Sequence, residues 1–151
     1  MSATSPVARH PHISALHLGR RAAAGVTGGI AGGLVFGLLM AMMGMLPMVA
    51  SLVGLNSAGA GFGVHMVISV LIGLGLTVHF AGLLSSYGKG ALVGLAYGAF
   101  WWILGPLVIM PAILGMPMLT VDVMAGLSLL GHLAYGAILA VVAVRVLKGR
   151  A

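Results

Sequence analysis

Residues 22–46 read AAAGVTGGIAGGLVFGLLMAMMGML, and this stretch decides the fold class. It carries no charge, and it is long enough for a spanning helix, which needs about 20 mostly apolar residues. Three more segments of the same kind follow, at about 62–84, 91–114 and 124–147. The expectation is an all-α polytopic membrane protein of four transmembrane helices. Composition agrees. Charged residues are 5% of the chain, against about 25% in soluble domains. Hydrophobic residues are 61%, with 25 glycines besides, and mean hydropathy is +1.21. A soluble globule could not cover its surface from this supply, and a disordered chain needs low hydrophobicity and high charge.

The charges predict orientation. Arg9, Arg20 and Arg21 precede the first segment, Lys89 lies between the second and third, and Arg145, Lys148 and Arg150 close the fourth. With four spans all seven fall on one side. Lys and Arg accumulate on the cytoplasmic side, so both termini are expected in the cytoplasm. Residues 1–18 read as a cytoplasmic tail holding His10, His12 and His17, and residues 19–151 as the transmembrane domain. The first apolar run is longer than the 7–15-residue core of a signal peptide. The basic residues are too few and too scattered for a nucleic-acid surface.

Gly25, Gly29, Gly33 and Gly37 recur every fourth residue, as do Gly90, Gly94 and Gly98. Fourth-residue spacing lines one helix face, and small residues let helix backbones approach in lipid. Ser69, Gly73 and Thr77 form a similar row, as do Ser128, Gly136 and Ala140, so a glycine-packed bundle is expected. Gly28 and Gly32 widen the groove of the first helix. The halves also look alike. Met45-Leu46-Pro47 corresponds to Ile109-Met110-Pro111, and Gly63-Val64-His65 to Leu130-Gly131-His132. This is the pattern of a parallel two-helix repeat about the membrane normal.

Few residues can carry chemistry. There is no cysteine, and Asp122 is the one acid. Thiolate sites and two-carboxylate mechanisms are excluded, and no phosphate-binding loop is present. His65 and His132 lie on the small-residue rows and are expected to face the bundle interior, with His79 facing a similar way nearer the cytoplasm. Imidazole ligates haem and transition metals, so one reading is a haem- or copper-binding site on His65 and His132. Met43, Met45 and Met48 could add thioethers, which suit Cu(I). The plainer reading gives each histidine a backbone carbonyl or hydroxyl partner and makes methionine a flexible filler. Trp101 and Trp102 lie mid-segment, so at least one is expected to pack inside or line a cavity. Pro106 and Pro111 should bend or break the third helix, and Asp122 should cap the fourth.

The stretch GLAYGAFWWILGPLVIMP at 94–111, followed by GHLAYG at 131–136, resembles the YagU-like group of small bacterial integral membrane proteins. The resemblance implies a bacterial inner (cytoplasmic) membrane location and brings no activity. The functional expectation is a non-enzymatic structural or accessory subunit. Its partners would be the lipid bilayer, other membrane proteins or a second copy, and not nucleic acid. The alternatives are the haem or metal (copper) protein, and a small oligomeric transporter or permeation subunit.

Overall fold

The computed structural model describes residues 11–149. Among them there are six α-helices and no strand: α1 Pro11–Met42, α2 Leu46–Ser51, α3 Ala58–Phe80, α4 Tyr87–Leu104, α5 Met110–Leu114 and α6 Val123–Lys148. Four stretches are long and apolar enough to cross a membrane: His17–Met42, Ala58–Leu83, Tyr87–Leu114 and Val123–Lys148.

Local chemistry sets the helix ends and moves several expected boundaries. Ser57, Ser86 and Asp122 are extended N-cap residues whose side chains accept from Ala60 N, Lys89 N and Ala125 N. Such caps satisfy amide groups that the first turn leaves unpaired. The second and third spans therefore start about four residues before the expected 62 and 91. The first stops at Met42 instead of 46, because Gly44 turns the chain at φ 70°, a conformation open to glycine. Pro47 then sits in the first turn of α2, a short helix in a stretch expected as loop. At the other end α1 already includes residues 11–18, part of the expected tail. Residues 1–10, with Arg9 and His10, lie outside the described residues, as do 150–151.

The third span does not break at Gly105-Pro106. It passes through one π turn, Gly105–Ile109, into α5. Pro106 lacks the N–H that would bond four residues back. The wider turn restores continuity, with Met110 N bonding Gly105 O.

The helices stand in the order α3–α1–α6–α4, each packed along its neighbour, while α3 and α4 scarcely touch. The helix-facing glycines lie at the packed seams. A Cβ placed on Gly29 would fall 2.6 Å from Ser69 O on α3, and one on Gly94 would fall 2.7 Å from the Gly136 carbonyl carbon on α6. Gly28 and Gly32 do not widen the α3-facing groove. They form a second row on α6, where added Cβ atoms would meet Leu139 O at 2.6 Å and Tyr135 O at 2.7 Å. Residues 28 and 29 are successive on a helix of about 100° per residue, so they face different neighbours. The outer surface is apolar, with Leu38, Leu71, Leu92 and Leu130 each more than 60% exposed.

Candidate functional site

The open α3–α4 side leads into a cavity of about 300 Å³, lined by residues of α1, α3, α4, the π turn and α6 and closed at one end by Met45, Val49 and Leu52. Behind it lies a recess of about 50 Å³ that shares Phe36, His65, Ile68, Ile72, Trp101 and His132 with it and adds Ser69 and Tyr135. The two expected histidines thus line one space.

Phe36 brings them together. Its ring meets His65 edge-on at 5.3 Å between centroids and His132 at 4.7 Å. Gly131 leaves the room that the Phe36 ring fills on α6. His65 is 7% exposed, and its Nε2–H donates to Gly33 O on α1 at 2.9 Å. His132 Nδ1–H donates to Ser128 O on its own helix at 2.8 Å. A carbonyl can only accept, so these bonds fix both tautomers. The unprotonated atoms are His65 Nδ1 and His132 Nε2. Ser69 Oγ lies 3.4 Å from His65 Nε2, but that nitrogen carries the proton given to Gly33 O. The pair therefore cannot act as nucleophile and base.

The tryptophans divide. Trp102 Nε1 donates to Ala125 O on α6 at 2.8 Å. Trp101 lines the cavity, and its enclosed Nε1 has no hydrogen-bond partner. Tyr97, one turn back, donates its hydroxyl to Ile72 O at 2.9 Å, and its ring meets that of Trp101 edge-on at 6.1 Å between centroids. The Tyr97 bond is the main hydrogen bond between α4 and α3. Tyr135, on α6, reaches past α1 to α3 instead, donating to Ser69 O at 2.5 Å.

Of the expected thioethers, Met45 lines the cavity, joined by Met40 and Met110. Met43 packs on the core outside the cavity, and Met48 is exposed. His79 does not share the inward direction of His65. It is exposed on α3 and donates from Nδ1 to Gly75 O at 3.1 Å. Fourteen residues fall about 40° short of whole turns, enough to carry it off the buried face. His17 is also exposed. No group of three or more His, Cys, Asp or Glu residues gathers as a metal site among the described residues.

Phe36 and the unpaired Trp101 N–H are the site features that sequence reasoning missed. The signal for Phe36 was its position as the lone aromatic in a glycine-stepped helix. A second, open cleft of about 630 Å³ lies at the other end of the bundle, between Arg20, Tyr87, Arg145 and Lys148. There Arg20 bonds Leu147 O and Arg21 bonds Val78 O, at the C-terminal ends of α6 and α3. Cations favour those positions, where carbonyls are left unpaired.

Comparison of the chain with protein families, with characterised proteins and with solved structures finds no match.

Proposed function

We propose that the chain is a non-enzymatic protein of the bacterial cytoplasmic membrane, with both termini in the cytoplasm, that associates with another membrane component through its α3–α4 side. The observation that carries this reading is the uneven closure of the bundle. Three helix pairs pack along their length and the fourth, α3 with α4, does not. The clustering of Arg20, Arg145 and Lys148 at one end, with Asp122 at the other, supports the orientation. The absence of a competent nucleophile–base pair at Ser69 and His65 favours binding over catalysis.

Glycine packing and a parallel repeat belong to this reading. Gly29 meets Ser69 as Gly94 meets Gly136, and Gly25 meets Gly73 and Thr77 as Gly90 meets Ala140 and Val144. Matching contacts of this kind support two related helix pairs. In such a repeat α3–α4 would be the counterpart of α1–α6, so the open side is where a symmetric contact is missing.

The chain has no native cysteine, which makes the test simple. An impermeant maleimide should label Ser57→Cys in intact cells and Ser86→Cys only after the membrane is opened. A photo-crosslinking residue at Ile68, on the open side, should give one stoichiometric adduct, and the same residue at Leu34, on the outer surface, should not. Reversed labelling would overturn the orientation. Equal capture at both positions would overturn the role given to the open side.

The haem or copper alternative keeps one specific observation in its favour: Met40, Met45 and Met110 line the same cavity as His65 and His132. A visible spectrum and metal analysis of the purified protein test it. A haem band or stoichiometric copper lost in His132→Ala would establish this reading, and a colourless, metal-free protein would remove it.

A further inference from the structure

The open cleft at the Arg20 end of the bundle differs chemically from the apolar outer surface. It is lined by Arg20 of α1, Tyr87 of α4, and Arg145 and Lys148 of α6, and Ala23 and Val146 add apolar wall. Topology alone places Lys and Arg at these helix ends, but it does not require three cations from two helices to share one space. Two of them are held by the protein itself. Arg20 Nη2–H donates to Leu147 O, which uses one of the five guanidinium donors. Lys148 Nζ stands 5.4 Å from the centre of the Tyr87 ring, within range of a cation–π contact. Arg145 is exposed and lies three residues before Lys148, on the same helix face. No acidic side chain balances these charges. Asp122, the one acid in the chain, caps the opposite end of α6, about 35 Å away at 1.5 Å per residue. Like charges on one face repel, and a bound anion relieves the repulsion. The place of the cleft selects the anion. Its cations and Tyr87 stand within about one turn of the ends of three apolar spans, the depth of lipid phosphates. Basic pockets between spanning helices take anionic headgroups. The volume of about 630 Å³ exceeds what a lone phosphate fills, and the apolar Ala23 and Val146 suit an attached glycerol backbone.

We propose that this cleft binds a phosphate group, that of an anionic phospholipid in the surrounding leaflet, with Arg20, Arg145 and Lys148 supplying the positive charge. The proposal goes beyond the preceding reading. It needs the spans to stand in lipid, and it does not depend on the orientation of the chain or on the role given to the α3–α4 side.

The test titrates the full chain in neutral detergent with dioleoyl phosphatidylglycerol and, separately, with dioleoyl phosphatidylcholine, and reads the lipid retained per chain by native mass spectrometry. One phosphatidylglycerol should be retained at concentrations where phosphatidylcholine is not, and a wash with excess inorganic phosphate should not strip it. Arg145→Gln and Lys148→Gln should each weaken retention about fivefold, the share expected of one basic residue near an anionic headgroup. Lys89→Gln removes an equal charge from the same end of the bundle but outside the cleft lining, and should change retention less than about twofold. Arg145→Lys keeps the charge and should retain more lipid than Arg145→Gln, which separates loss of charge from loss of fold. Equal retention of the two lipids would overturn the proposal. So would equal losses for Lys89→Gln and Arg145→Gln, which would mean a diffuse field with no site. Displacement by inorganic phosphate would overturn the lipid as the source of the phosphate. Failure of the α3–α4 reading is separate: it would show as equal photo-crosslinking at Ile68 and Leu34, whatever lipid is retained.

Discussion

The α4–α6 seam and the α3–α4 side are made of similar residues and behave in opposite ways. At the seam, Gly94 and Gly98 on α4 meet backbone atoms of Gly136 and His132 on α6. Across the open side, Gly75 on α3 meets only the hydroxyl tip of Tyr97. The difference is one of partner, not of residue type. A glycine facing backbone allows close approach, and the resulting contact is what association in lipid has to draw on. A glycine facing the end of a long side chain keeps the two backbones apart.

The comparison breaks most visibly under enlargement. Gly94→Leu should abolish the folded bundle, because backbone and the Ala140 methyl stand within 3 Å of its first side-chain atom. Gly75→Leu should leave the fold intact, displacing only the Tyr97 hydroxyl. Circular dichroism during unfolding in sodium dodecyl sulfate distinguishes them. If both unfold the chain equally, the two regions do not differ as argued.

Deleting hydrogen bonds sharpens the contrast. Tyr135→Phe removes the bond to Ser69 O that ties α6 to α3 and should cost about 1.5 kcal/mol, near the upper end for such bonds in membranes. His65→Leu removes the bond from α3 to α1 and should cost about 1 kcal/mol. His132→Leu removes only a bond within α6, so its effect on the same unfolding curve should be within about 0.5 kcal/mol. Equal losses for the two histidines would contradict their different partners. Tyr97→Phe, on the open side, should cost least, about 0.5 kcal/mol, and should loosen α4 from α3 without disturbing the seams. A loss as large as that of Tyr135→Phe would mean that α3–α4 is a structural contact.

The four spans were legible because length and apolarity dictate them, and Asp122 was legible as a cap from its place before an apolar run. The end of α1 was not, since hydropathy continues through Gly44 while the backbone turns there. Pro106 read as a bend or break, but the π turn that absorbs it depends on regular backbone on both sides. The site was half legible. The small-residue rows pointed His65 and His132 inward, yet the sequence could not say that Phe36 would join them. Nor could it say which tryptophan would find an acceptor. Trp102 reaches Ala125 O and Trp101 does not, although the two are adjacent in the chain. Which neighbour Gly28 and Gly32 would face was not legible either, because spacing defines a row and tertiary packing decides what the row meets.

The central claim, that α3 faces lipid where it should meet α4, is tested most directly by the oxygen accessibility of a nitroxide on single cysteines in nanodiscs. Leu71, 61% exposed, and Leu76, 1% exposed, set the scale on α3, and Ile72 lines the cavity between them in character. The account predicts that a label at Ile72→Cys, half-buried in the cavity wall, falls between the two and collides with oxygen clearly more often than one at Leu76→Cys. A label at Ile72→Cys as shielded as one at Leu76→Cys would contradict it, and the bundle would then be closed on all four sides.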